Sequence, residues 1–71
     1  MMTKAQLQTL RVGDYIADGE NYGDIAMNSF GWVAVNWHGV NPRPLPPVVY
    51  PLEVFLYLFN DYGLYRGKEQ L

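Results

Sequence analysis

A chain of 71 residues holds one domain, and at this size folding hides only about 60% of the surface the unfolded chain exposes, so each large apolar side chain matters. Without cysteine there can be no disulfide, thiolate zinc site or cysteine nucleophile, which leaves packing or self-association to stabilise the fold. The net charge is −2 and the five cations, Lys4, Arg11, Arg43, Arg66 and Lys68, are scattered from end to end, an arrangement that opposes a phosphate-tracking surface.

Thr3 is a suitable N-cap for a short helix over residues 4–10, with Leu7 and Leu10 on one face. Residues 12–16 change to a two-residue period and predict a first strand, followed by a loop at Asp18-Gly19-Glu20-Asn21. Over 23–28, Ile25 and Met27 alternate against Asp24, Ala26 and Asn28, a second strand. Asn28-Ser29 supplies the reversal into a third strand that starts at Phe30 or Gly31. In that strand Val33, Val35 and Trp37 share a face that we place inward, whereas Trp32, Ala34 and Asn36 face the other way. Residues 38–47 carry four of the five prolines and predict an ordered excursion outside the ladder; 48–50 re-enter as a fourth strand.

Beyond Pro51 two readings stand. Pro51 in a first turn, Glu53 at its positive end and Gly63 as a C-terminal cap favour a helix over 51–61. The run 54–59 is apolar on every side and also fits a short helical turn followed by a fifth strand. That run is far shorter than the ~20 residues of a membrane-spanning helix. The opening residues lack the apolar core of a secretory leader, so no membrane association and a cytoplasmic location are expected. The tail, 66–71, is polar and is expected to fray.

Catalytic signals are sparse. His38 is the only histidine, and no carboxylates sit beside it at ligand spacing, so it reads as a loop residue rather than a general base or metal ligand. Asp14, Asp18, Glu20 and Asp24 form an acidic arc around the first loop without the pattern of a calcium loop. Gly13, Gly19 and Gly23 lack phosphate-cradle spacing, and Ser29 and Thr3 have no nearby base. Arg43-Pro44-Leu45-Pro46-Pro47 has the form of a basic polyproline ligand, read here as a structural loop that shields a sheet edge.

The order strand, glycine-bearing loop, hairpin, proline-rich excursion and short strand ending in Tyr-Pro resembles that of SH3-like small barrels. It is carried by Val12-Gly13-Asp14-Tyr15-Ile16, Gly23-Asp24-Ile25, Gly31-Trp32-Val33-Ala34-Val35 and Val49-Tyr50-Pro51-Leu52. Among these barrels the chain looks most like the plasmid-type (type II) dihydrofolate reductases, whose last strand reads Val-Gln-Ile-Tyr-Pro, over about residues 12–55. The resemblance implies a mostly-β SH3-like barrel of about five short strands, with a short N-terminal helix and the C-terminal segment as helix or strand. It would also imply a tetrameric pore binding nicotinamide and folate. Val49 and Tyr50 match the Ile and Tyr of that pore, but Val48 replaces its Gln, and the loop at Asp18 to Glu20 is acidic where that family is basic. Reductase activity and its cofactors are therefore not expected.

Aromatic side chains carry the remaining functional signal, since Tyr, Trp and Arg anchor interfaces. The expectation is a non-catalytic module without cofactor or metal that contacts a protein partner, or a second copy of itself, through Trp32, Tyr22, Tyr50, Tyr15, His38 and Arg43. The acidic loop would favour a basic partner. Such a compact domain would suit an accessory protein of a phage or mobile element. Two other readings are the homotetrameric pore and a weak single-stranded nucleic-acid binder that stacks bases on Trp32, Trp37 and Tyr15.

Overall fold

A computed structural model describes residues 2–38 and 46–71. The chain runs α1 (Lys4–Gln8), β1 (Tyr15–Ala17), β2 (Tyr22–Ser29), β3 (Trp32–His38), β4 (Val48–Pro51), α2 (Leu52–Phe59), β5 (Gly63–Arg66) and β6 (Glu69–Gln70). It is a small, mostly-β structure: one antiparallel sheet in the order β4-β3-β2-β1-β5-β6 with two short helices. The expectations for Arg43 and for most of the proline-rich segment lie outside the described residues.

Helix α1 begins where Thr3 predicts. The Thr3 hydroxyl accepts from the Gln6 amide at 3.1 Å and the Gln6 side chain accepts from the Thr3 amide at 3.0 Å, a reciprocal cap that satisfies two otherwise orphan donors. Its far end is closed from the sheet: the Asn28 side-chain Nδ2 donates to the Leu7 and Leu10 carbonyls at 2.8 and 3.1 Å. The first strand starts later than expected, at Tyr15 rather than Val12. The Asp14 carboxylate accepts from the Arg11 amide at 2.8 Å and Gly13 takes φ 98°, so 11–14 close on themselves as a turn.

Two local features of the β2-β3 hairpin overturn the simple alternation. A bulge between Ile25 and Met27 makes Ala26 the extra residue and reverses the phase. Ile25 pairs with Val35 on the inner face, Met27 pairs with Ala34 on the outer face, and Asn28 turns inward to reach α1. The reversal lies at Phe30-Gly31 and not at Asn28-Ser29. Ser29 pairs with Trp32, and the two residues between them have φ 54° and 79°, the signature of a type I′ turn that matches the sheet's twist.

After Pro51 the apolar run 54–59 is helical throughout, and the strand that follows, β5, lies beyond it and not within it. Helix α2 occupies Leu52–Phe59 with Pro51 as its N-cap residue and Asn60 as its C-cap; Gly63, expected to be the cap, instead opens β5. The tail does not fray: β6 folds back on β5 and the Leu71 amide donates to the Leu64 carbonyl at 2.7 Å. Strand β5 pairs with β1, which brings residues 50 apart into register, as at Tyr15 and Tyr65.

Both helices pack on one face of the sheet. Leu7, Leu10, Ile16, Ile25, Val33, Val35, Phe55 and Leu64 are buried there, each large side chain contributing about 1.5–3 kcal/mol by leaving water. Trp37, Tyr50, Phe59 and Tyr62 close one end of this core, and the Trp37 indole N–H donates to the Tyr50 hydroxyl at 2.9 Å. Gly23 is required beneath them, because a Cβ there would lie 2.5 Å from Val35 Cγ1 and 3.0 Å from Trp37.

The sheet edges are protected. The Leu52 amide donates to the Gly31 carbonyl at 2.8 Å, which brackets Trp32/Pro51 as a non-bonded pair. Val33/Tyr50 and Val35/Val48 are then the bonded pairs, so the outward-turned residues of β4 are Val49 and Pro51, and only Val49 has an N–H to offer. At the other edge β6 is two residues long.

Candidate functional site

With one face of the sheet under the helices, no helix among the described residues covers the other face. Register places Tyr65, Tyr15, Asp24 and Asn36 side by side on it, then Ala17, Tyr22 and His38, and towards the opposite end Met27, Ala34 and Val49, with Trp32 beyond. Six residue steps along β3 separate Trp32 from His38, about 20 Å of extended chain. The outer face therefore carries two groups of candidates: Tyr15, Tyr22 and His38 at one end and Trp32 at the other.

Tyr15, Tyr22 and His38 belong to a continuous row. Tyr65 stacks on Tyr15 with centroids 5.0 Å apart and planes 14° from parallel; Tyr22 meets Tyr15 edge to face at 6.4 Å and stacks on His38 at 4.8 Å. The Tyr15 hydroxyl donates to the Gly67 carbonyl at 3.2 Å, and His38 Nε2 lies 2.6 Å from Asp24 Oδ2. Much of the ring surface is thus spent on neighbouring rings. What remains outward is ring edges and the half-exposed ring of Tyr22, a surface better matched to amphipathic protein contacts than to a run of stacked bases. Tyr22 and Trp32 are each 47% exposed.

Tyr50 does not join them. It pairs with Val33 on the inner face, packs against Phe55 and Phe59, and its hydroxyl is taken by Trp37. The strand period explains this: Trp32 opposes Pro51, so Tyr50, one residue earlier, points through the sheet.

The acidic residues do not form an arc. Asp14 is buried and grips Arg66 through two bonds, from Nε at 3.0 Å and Nη2 at 2.9 Å, and this guanidinium, followed by the Arg11 amide, holds its carboxyl below the usual carboxylate range against the opposing effect of burial. Asp18 accepts from the amides of Asn21 and Glu20 at 2.8 and 3.0 Å, which organise the β1-β2 loop and lower its carboxyl. Among the described residues no three His, Asp or Glu side chains converge as a metal site.

Comparisons with family models, with curated proteins and with solved structures find no match.

Two concavities bear on the site's geometry. A cleft of about 360 Å³ lies on the outer face, lined by Tyr15, Ala17, Gly19, Glu20, Asn21 and Tyr22. A larger groove of about 550 Å³ runs between α1, the β2-β3 turn and the start of α2, past Lys4, Phe30, Leu52 and Glu53. It is bounded by one turn and two helix ends, and its lining includes none of the stacked rings. Helix α2 also turns Val54, Tyr57 and Leu58 to solvent, at i, i+3 and i+4.

Sequence reasoning missed Tyr65 because 66–71 reads as a polar tail. The signal was present in Gly63-Leu64-Tyr65-Arg66-Gly67, a short alternation closed by a turn glycine. It also missed Phe30, which is 96% exposed at the hairpin tip. No helix among the described residues is long and apolar enough to cross a membrane.

Proposed function

We propose that this domain is a non-catalytic protein-interaction module of the SH3-like small-barrel kind, which docks a protein partner on the outer face of its sheet. The observation that carries the reading is the aromatic row Tyr65, Tyr15, Tyr22 and His38, together with Trp32, on the face opposite the helices. Aromatic rings with polar tips concentrate binding energy at interfaces, and their mutual packing fixes them before a partner arrives. The blunted edges favour face docking, because strand addition along β4 would find a single outward N–H. The SH3-like reading is supported by the connectivity, a β1-β2-β3-β4 meander followed by a helix and a strand that returns to pair with β1.

The test is a peptide-display selection against the intact chain. Recovered ligands should lose at least tenfold in affinity for Trp32→Ala or Tyr22→Ala and bind Tyr57→Ala, on the helix side, like the wild type. Ligands that ignore Trp32 and Tyr22 but depend on Tyr57 would transfer the docking surface to α2.

A further inference from the structure

The cleft at the tyrosine end of the outer face has a floor, a wall and a charge. Tyr22 sits between Ala17 on β1 and His38 on β3 in the register; its ring stacks on His38, and the half-exposed side chain lines the cleft together with Ala17. The Ala17 methyl leaves that space open. Tyr15 closes one side with its ring plane 76° from that of Tyr22, and Gly19, Glu20 and Asn21 of the loop close another. Among the described residues of the lining Glu20 is the sole charged side chain, and no described cation accompanies it. Asp18 in the same loop keeps its negative charge through the Asn21 and Glu20 amides that bond it.

An aromatic ring, a near-perpendicular second ring and a carboxylate with no described cation beside it, around one small floor residue, favour a positive charge carried on an apolar stem. A cation over a tyrosine face is attracted by the ring quadrupole, and the stem covers apolar ring and methyl surface. An anion would meet Glu20, and a neutral apolar side chain would leave that carboxylate in a partly desolvated position without compensation. We propose that this cleft receives the cationic head of an arginine or lysine side chain presented by the protein partner, with the half-exposed ring of Tyr22 as its wall and Glu20 as its counter-charge. The inference rests on the docking role of the outer face and gives it a partner chemistry.

The experiment titrates the full chain with N-acetylarginine amide, N-acetyllysine amide and the neutral isostere N-acetylcitrulline amide, following backbone amide resonances. Either cation should shift Ala17, Gly19, Asn21 and Tyr22 with an initial slope at least threefold that of citrulline, and added salt should reduce it. Glu20→Gln should lower the slope about two- to fivefold, the range of an exposed ion pair. Tyr22→Leu should do so by a similar factor, that of an exposed cation–π contact. Ala17→Leu fills the floor and should abolish the response while amide dispersion shows that the sheet is retained. Equal slopes for arginine and citrulline, shifts outside the cleft, or an unchanged response in Glu20→Gln would overturn the proposal. None of those results touches the loss of selected ligands in Trp32→Ala, so failure of the cleft and failure of the docking face are read separately.

Discussion

Replacing Phe30 by asparagine should make the domain more stable, although it deletes a large apolar side chain. Phe30 has φ 54° and is 96% exposed, so its ring contributes almost no burial while its backbone sits in the left-handed region. A non-glycine residue there costs about 1–2 kcal/mol. Asparagine is several-fold enriched in this region and, followed by Gly31, forms the preferred type I′ pair. A net gain of about 0.5–1 kcal/mol follows. For a domain of this size each kcal/mol moves Tm by about 4–8 °C, and with a urea slope near 1 kcal/mol/M the midpoint should rise by about 0.5–1 M. Urea unfolding followed through the partly buried Trp37 measures it, with an unchanged slope confirming that only stability moved. A lower midpoint for Phe30→Asn would mean that the ring is packed or that the turn is not type I′, and either result refutes the argument. The strained aromatic also marks Phe30 as a position kept at a cost in stability.

Asp14→Asn should cost about 1–2 kcal/mol, because it breaks the two-pronged grip on Arg66, whose half-exposed side chain can recover solvation. Since the Asp14 carboxyl is held below its usual range, its stabilisation is complete above about pH 4 and is lost as pH falls through the depressed folded-state value, so the variant's acid unfolding profile should be flatter there. Tyr50→Phe leaves the half-buried Trp37 N–H without its acceptor and should cost about 1–2 kcal/mol, with no effect on ligands selected for the outer face; weakened ligand binding in a folded variant would return Tyr50 to the surface. Gly23→Ala drives a methyl into Val35 and Trp37 and should destabilise by about 1–3 kcal/mol, seen as a Tm drop with a shifted tryptophan emission.

Short-range chemistry in this chain was readable residue by residue. Thr3 and Gln6 specify the cap of α1, and the alternation from Trp32 to Trp37 correctly separates an inward indole from an outward one. Three things were not. The bulge at Ala26 carries no sequence mark, yet it decides that Met27 faces out and Asn28 reaches α1. The sequence alone predicts Tyr50 on the surface, because nothing local reveals a partner 13 residues away in the chain, the Trp37 indole. The pairing of β1 with β5 joins Tyr15 to Tyr65 and Asp14 to Arg66, and contacts so distant in sequence follow from topology and not from local propensity. The acidic arc failed for the same reason: two of its members already have partners, Asp14 with Arg66 and Asp24 with His38.

A protein partner that docks on the outer face of the sheet leaves its footprint there. The most direct measurement maps the backbone amides perturbed when a display-selected ligand binds the full chain. Docking on the outer face predicts shifts at Tyr15, Ala17, Tyr22, Asp24, Trp32 and Val49, with Lys4, Glu53 and Tyr57 unmoved. A footprint on Lys4, Phe30 and Glu53, or on Val54, Tyr57 and Leu58, would contradict it.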